Sequence, residues 1–152
     1  MWCRSESRAS RAAFTLLELI VVIAIIATLA AVVAPQVFRN VGDAKTNAAR
    51  TQIESFVLAL EQYRIDNSIY PTSEQGLAVL RTIPGVGELP SNWRGPYLRR
   101  TVPNDPWGRP YLYQSPGVAN PDSYDLLSFG RDGKKGGTGE DADISSWGDS
   151  GR

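Results

Sequence analysis

The chain has 152 residues, no net formal charge, no histidine and a single cysteine, Cys3. One cysteine excludes an intrachain disulfide, and the lack of histidine excludes a Cys/His zinc site and catalysis by an imidazole base. The balanced charge gives no indication of nucleic acid as a partner. The length suits one ordinary domain with an appendage, and carboxylate chemistry is the main catalytic possibility that remains.

The N-terminal part combines a basic start with a long apolar segment. Residues 1–13 carry three arginines against one glutamate, and residues 14–34 contain only Thr15, Glu18 and Thr28 as polar side chains. At about 1.5 Å per residue, a helix of this segment is about 31 Å long, which matches the hydrocarbon thickness of a bilayer. We therefore predict a membrane-spanning helix with a cytoplasmic N-terminus and a body on the opposite side.

Glu18 lies inside this apolar segment, about 6 Å from its start along a helix axis. A carboxylate within a membrane span is costly, so we expect Glu18 to have a partner. A plain single-span anchor explains the length of the segment but leaves Glu18 unexplained. A secretory signal peptide is a further alternative, although its apolar region should be shorter and AVVAP is a weak cleavage site.

A second helical pattern follows Pro35. Its apolar residues recur mostly at spacings of three and four, which is typical of an amphipathic helix. They are Ala48, Ile53, Phe56, Val57, Leu60 and Tyr63. We predict one helix from about residue 14 to about residue 66, with a kink near Pro35 because proline removes a backbone hydrogen bond. Its second half is expected to pack on the chain's own sheet.

The second half of the chain is rich in glycine and proline, which indicates short elements joined by turns. TSEQGLAVLRT (72–82) predicts a short helix that is capped by Thr72 or Ser73. RPYLYQSPG (109–117) and SYDLLSFG (123–130) predict the two strands of a hairpin, with room for a third strand. The predicted fold class is α+β, with a long N-terminal helix packed on a small antiparallel sheet.

Several aromatic residues cluster in WRGPYL and DPWGRPY and shortly after them. They are Trp93, Tyr97, Trp107, Tyr111 and Tyr113. Such a group can form a platform on which a ligand stacks. We favour core and turn positions instead, because a small domain with few aliphatic residues needs its aromatic side chains for packing.

Residues 129–143, FGRDGKKGGTGEDAD, form an acidic, glycine-rich segment. Its carboxylates are Asp132, Glu140, Asp141 and Asp143. Oxygen ligands on a tightly turning backbone suit calcium, but the EF-hand pattern is absent. A phosphate-binding loop is disfavoured because the GK[ST] ending is missing. On these residues alone, a solvated flexible loop is the main alternative to a calcium site.

The stretch AFTLLEL (13–19) resembles the type IV prepilin signature. The resemblance implies that residues 1–13 are a leader, which a prepilin peptidase removes by cutting between Ala13 and Phe14. It also implies that the new N-terminus, Phe14, is methylated and that its amine meets Glu18 of a neighbouring subunit in a filament. The signature usually has glycine before the cut, whereas this chain has Ala13.

Four further motifs, in order and with matching spacing, resemble the protein G family of major pseudopilins of type II secretion. They are YRIDNSIYPTSEQGLAVL, NWRGPYLRR, DPWGRPYLY and YDLLSFGRDGKKGGTGEDADISSW. The resemblance implies a type IV pilin-like fold with a transmembrane and assembly helix over 14–34 and a periplasmic domain over 35–152. It also implies a calcium ion in the C-terminal loop, bound by the Phe129 carbonyl and the carboxylates of Asp132, Asp141 and Asp143.

The resemblance implies a structural, non-enzymatic subunit of the bacterial inner membrane, which polymerises into a periplasmic filament, the pseudopilus. That filament supports export of folded proteins across the outer membrane. The implied partners are copies of the chain, minor pseudopilins, an inner-membrane assembly platform, the prepilin peptidase and, before assembly, membrane lipid. Two alternatives stay open: a type IV pilin of a surface fibre, and a membrane-anchored binding module or enzyme that uses the acidic cluster.

Overall fold

The computed structural model describes residues 14–83, 85 and 89–148. The predicted leader, including Ala13, lies outside these residues. The chain divides into two compact units, one up to residue 39 and one from residue 40 onward. The second unit contains the sheet and most of the hydrogen-bonded loops.

Helix α1 extends from Leu16 to Asn67, which confirms the predicted long helix. Its start is capped by Thr15, whose Oγ1 accepts a hydrogen bond from the Glu18 backbone N–H at 3.1 Å. The helix continues through Pro35, and the kink predicted there stays a prediction. At its end, Ser68 adopts a left-handed conformation with φ of 67°, which stops the helix.

The first unit consists of the apolar part of α1. Its large apolar side chains are all exposed, from 42% at Val22 to 78% at Leu16. By length and composition α1 could cross a membrane, and within its most apolar window no residue is buried by the rest of the protein. The described part of the chain therefore provides no cover for this surface, which is typical of a segment that meets lipid or other subunits.

The part of α1 in the second unit buries one face. The buried residues on this face are Gly42, Ala49, Ile53, Phe56, Ala59, Leu60, Tyr63 and Asn67. The prediction for Ala48 is wrong, because Ala48 is exposed and Ala49 is buried in its place. One residue corresponds to a rotation of about 100° around a helix, so Ala48 lies to the side of the buried face.

The sheet has three short antiparallel strands in the order β1-β2-β3. They are β1 (Leu112–Gln114), β2 (Asp125–Ser128) and β3 (Ile144–Ser145). Tyr113 pairs with Leu126 across β1 and β2, and Ser128 pairs with Ile144 across β2 and β3. The predicted hairpin is therefore confirmed, and a third strand follows the acidic segment.

The core lies between the buried face of α1 and the sheet. Leu60 and Leu126 are fully buried, and the Phe56 ring packs edge-on against Tyr111 with 5.2 Å between centroids. The aromatic residues are confirmed as core and turn positions: Tyr111 is buried, and the others pack against the core. Since the buried apolar residues extend only from Ala49 to Ile144, a fragment of residues 39–152 retains the whole described core.

The segment predicted as a short helix is a capped turn followed by a 3₁₀ helix from Leu77 to Leu80. Thr72 Oγ1 accepts a hydrogen bond from the Gln75 backbone N–H at 3.2 Å, and Gln75 Oε1 accepts one from the Thr72 N–H at 3.0 Å. This reciprocal pair is a capping box. A regular helix does not continue from the capped turn, because Gly76 has a φ of 59°, outside the right-handed helical region.

The loop between β1 and β2 is organised by the Asp125 carboxylate, which is buried. It accepts hydrogen bonds from the backbone N–H groups of Val118 and Ala119, both at 2.7 Å, and from the Asn120 N–H at 3.1 Å and amide at 2.9 Å. Burial raises the pKa of Asp125, but these four hydrogen bonds together lower it further, so the net pKa lies below the ordinary value.

We expect Asp125→Asn to lower the free energy of unfolding of residues 39–152 by about 1–3 kcal/mol near neutral pH, because an amide replaces one acceptor oxygen by a donor. Since the folded-state pKa of Asp125 is lowered, its stabilisation is complete above the unfolded-state pKa and is lost as pH falls through the folded-state value. The variant should therefore lose less stability than the wild type between about pH 5 and about pH 2.

Urea unfolding at several pH values measures both effects. Asp122→Asn is the control, because Asp122 is exposed in the same loop. Equal pH profiles for the wild type and Asp125→Asn would contradict the assignment.

Candidate functional site

Phe14 and Glu18 lie at the start of α1, and both are exposed. Thr15 and Glu18 have the spacing of a capping box, and the observed bond to Thr15 is one half of it. A carboxylate in the first turn also interacts favourably with the helix dipole. The position of the Glu18 carboxylate in the first turn is therefore favourable for the start of α1, beside any role between subunits.

The acidic segment leaves β2 and returns to β3 as a closed loop. Its glycines at 130, 133, 136, 137 and 139 all have positive φ angles, between 61° and 93°. The Arg131 N–H donates a hydrogen bond to the Glu140 carbonyl at 2.8 Å, which joins the two sides of the loop. At Gly130 the two sides approach so closely that a Cβ atom would lie 2.6 Å from the Glu140 carbonyl oxygen and 2.7 Å from that of Ala142.

Asp143 carries a carboxylate oxygen without a partner. The residue is only 7% exposed, and its Oδ2 accepts a hydrogen bond from the Gly136 N–H at 2.9 Å. Its Oδ1 is buried and has no hydrogen-bond partner among the described residues. An unsatisfied buried carboxylate oxygen is costly, and a cation is the group that would satisfy it best.

Asp141 and Asp132 are held differently. Both oxygens of Asp141 accept hydrogen bonds from the Arg131 guanidinium, from Nε and Nη2, each at 2.9 Å. This hydrogen-bonded pair lowers the pKa of Asp141 below its ordinary value. Asp132 is exposed, and its Oδ1 accepts a bond from the Lys134 N–H at 2.9 Å.

A second guanidinium binds backbone oxygens of the same loop. Arg109 Nη1 donates hydrogen bonds to the carbonyls of Gly130, at 2.8 Å, and Arg131, at 2.7 Å. Arg109 and Arg131 were not among the predicted site residues, because the prediction rested on possible calcium ligands and on the glycines of the loop. Arg131 was visible in the motif FGRDG, but its pairing with Asp141 depends on how the loop closes.

The described residues contain no group of three or more Asp, Glu, Cys or His side chains that is arranged to hold a metal ion. The predicted carboxylates therefore share one loop but are not brought together as a ligand set. Asp143 suits a hard cation, since it offers a buried free oxygen. Asp141 fits such a cation only after it leaves Arg131.

The loop also contacts α1. The Glu140 side chain lies against Gly42, where a Cβ atom would overlap the Glu140 carboxyl group. Gly42 is buried by this contact. The acidic loop thus rests on the helix at a position that only glycine leaves open.

The fold is similar to that of a solved pseudopilin. The crystal structure of the major pseudopilin from the type 2 secretion system of enterohaemorrhagic Escherichia coli matches with a TM-score of 0.59 and 36% identity. The match covers 71% of this chain and 90% of that chain. The fold is therefore of the pseudopilin class, with one long helix and a small antiparallel sheet, as the sequence predicted.

Family comparisons agree with this class. Residues 36–147 match the model of type II secretion system protein G, and residues 8–34 match the prokaryotic N-terminal methylation motif. Type II secretion system core protein G of Pseudomonas aeruginosa is 42% identical over 92% of this chain and 97% of the relative. The corresponding protein of Vibrio cholerae serotype O1 is 44% identical over 90% of this chain and 92% of the relative.

The chain belongs to the type II secretion system protein G family. Members of this family are structural pseudopilin subunits, so the resemblance described for the sequence is confirmed. These relationships favour a pseudopilin over a surface-fibre pilin. The methylation motif and the apolar helix together indicate that the chain is anchored in a membrane.

We expect Gly130→Ala to destabilise residues 39–152 by about 1–3 kcal/mol more than Gly139→Ala, because only the first substitution forces a methyl group against backbone carbonyls. The two glycines have nearly equal φ angles, 61° and 63°, so both variants bear the same cost of a left-handed alanine. Nothing lies within 4 Å of a Cβ atom at Gly139. Denaturant unfolding of both variants gives the difference, and equal losses would refute the close approach at Gly130.

Proposed function

We propose that this chain is the major subunit of the pseudopilus of a type II secretion system, and that it supports export of folded proteins across the outer membrane. The main support is the family match over residues 36–147. The chain is made as an inner-membrane precursor with its N-terminus in the cytoplasm. After assembly, its C-terminal domain lies in a periplasmic filament.

The methylation motif at residues 8–34 supports processing of the precursor. In this proposal a prepilin peptidase cuts between Ala13 and Phe14 and methylates the new amino group of Phe14. The arginines of residues 1–13 hold the leader on the cytoplasmic face until the cut. Alanine at position 13 is small enough to take the place of the glycine that is usual there.

Assembly brings the apolar part of α1 together with other copies of the chain. The exposed side chains of this segment leave lipid and pack against neighbouring helices. The positive amine of Phe14 then pairs with the Glu18 carboxylate of a neighbour. A buried carboxylate without a cation is costly, whereas a hydrogen-bonded pair is tolerated and specifies the register between subunits.

The other proposed partners are minor pseudopilins, an inner-membrane assembly platform and the prepilin peptidase. Lipid surrounds the apolar part of α1 before assembly. The proposed role is mechanical and needs no catalytic residue in this chain, and nucleic acid has no part in it.

We expect Glu18→Ala to lower both pseudopilus assembly and protein export at least about tenfold, because removing one partner of a buried ion pair costs about 3–5 kcal/mol. The assay is complementation of a deletion strain, with export measured in culture supernatants and subunit contacts measured by cysteine cross-linking. The deletion itself should block export and leave surface fibres intact.

Thr15→Val separates assembly from helix capping, because it removes the bond to the Glu18 N–H and retains the carboxylate. Loss of a cap costs about 1 kcal/mol, so this variant should retain most assembly. If Glu18→Ala assembles at the wild-type rate, the intersubunit pair is wrong. If Thr15→Val fails as severely as Glu18→Ala, the effect arises from capping.

We also propose one structural calcium ion in the acidic loop, bound by the Phe129 carbonyl and the carboxylates of Asp132, Asp141 and Asp143. The orphaned, buried Oδ1 of Asp143 supports this site. The ion would hold together a segment that has too few apolar residues to fold by burial alone. It would therefore stabilise the native body without taking part in a reaction.

We expect calcium at millimolar concentration to raise the melting temperature of residues 39–152 by several degrees, since a ligand at about 100 times its Kd adds about 2.7 kcal/mol. Differential scanning calorimetry with calcium, magnesium or a chelator measures the shift. Asp143→Asn should abolish most of the calcium response. An unchanged melting temperature with calcium would exclude the site.

A further inference from the structure

We propose that Arg131 competes with calcium for Asp141, and that this intramolecular competition sets the calcium affinity of the loop. The inference rests on the proposed calcium site and deepens it. The guanidinium and the metal ion are alternative cations for the same carboxylate. Arg131 therefore holds the loop closed without calcium and weakens the binding of the ion.

The geometry of the pair supports the competition. Arg131 Nε and Nη2 each donate a hydrogen bond of 2.9 Å to a different oxygen of Asp141. A fork of this kind matches the carboxylate and leaves neither oxygen unpaired. For Asp141 to bind a metal ion, at least one of these two bonds must break, so calcium binding is an exchange of one cation for another.

The backbone places Arg131 at the point where the loop closes. Its N–H bonds to the Glu140 carbonyl at 2.8 Å, on the residue next to Asp141. Arg131 Nη1 also lies 3.9 Å from Glu140 Oε1. The residue thus joins the two sides of the loop through its main chain and its side chain, and these are the sides that carry Asp132 and Asp141.

The remaining predicted ligands differ from Asp141. Asp143 Oδ1 is buried without a partner, so it is available to a cation whether or not Arg131 is bound. Asp132 retains one carboxylate oxygen that accepts no bond from Lys134. Arg131 therefore blocks one of the proposed ligands only. Calcium can still bind to the loop, but with a higher Kd.

The exposure of the pair limits its strength. The Arg131 side chain is 57% exposed and that of Asp141 is 29% exposed, so solvent screens their attraction. A bidentate, charge-assisted pair in this setting should weaken calcium binding by about threefold to tenfold. The apparent Kd equals the intrinsic Kd divided by the fraction of molecules in the binding-competent state, so it rises when Arg131 occupies Asp141.

The test uses the full-length chain purified in detergent, with calcium as the probe. Isothermal titration gives the calcium Kd, and tryptophan fluorescence gives the melting temperature with chelator and with calcium. We expect Arg131→Gln to lower the Kd by about threefold to tenfold and to lower the melting temperature in chelator. Its calcium-induced rise in melting temperature should exceed that of the wild type.

Lys134→Gln is the matched control, because it removes the same charge from the same loop and leaves the Arg131–Asp141 contact in place. We expect its calcium Kd to change by less than about twofold. Arg131→Lys retains the charge but loses the planar fork, so its Kd should lie between those of the wild type and Arg131→Gln.

Three results would overturn the proposal. They are an unchanged or higher Kd for Arg131→Gln, equal effects of Arg131→Gln and Lys134→Gln, and no calcium binding by any variant. The last result would also remove the calcium site, whereas the role in secretion is judged separately by complementation of the deletion strain. If the chain supports export and Arg131→Gln binds calcium with the wild-type Kd, the proposed function is retained. Only the competition is then refuted.

Discussion

The body depends on the packing of one helix face against aromatic side chains. The strands of the sheet have between two and four residues each, which is too little to form a core alone. Helix α1 supplies Leu60 and Tyr63 as the largest fully buried side chains, and Phe56 and Tyr63 contact aromatic rings outside the helix. The same helix carries the exposed apolar segment. One element therefore stabilises the body and also carries the exposed apolar surface.

Most of the fold was predictable because it follows local periodicity. The 3.6-residue pattern identified α1 to within its last turn, and the turn signals around residues 115–122 located the hairpin. The prediction for Ala48 is wrong because two adjacent alanines look alike in a sequence, and only the packing decides which one faces the core. The short helix predicted over residues 72–82 is a capped turn followed by a 3₁₀ helix because Gly76 takes a positive φ, which its sequence neighbours do not reveal.

The candidate sites also differ in whether local sequence or tertiary contacts determine them. Glu18 was identified from a one-dimensional argument, the cost of a carboxylate in an apolar segment, which needs no knowledge of tertiary contacts. The acidic loop was found from composition, but composition does not tell which carboxylate is free. Asp143 is buried with an open oxygen, whereas Asp141 is bound by Arg131, and both facts depend on how the loop closes on itself. An arginine that pairs with an acidic residue, as Arg131 does with Asp141, is missed when only possible ligands are counted.

The contact between Gly42 and Glu140 links two positions that are far apart in the chain. Glycine within a helix costs about 0.5–1 kcal/mol relative to alanine, so its presence at position 42 needs a compensating reason. The Glu140 side chain supplies that reason, because it occupies the space that a Cβ atom at position 42 would need. Among related chains the two positions should therefore change as a pair, with a larger residue at 42 appearing only where the residue at 140 is shorter. Such co-variation between positions 42 and 140 would show that the helix–loop contact is present in related chains.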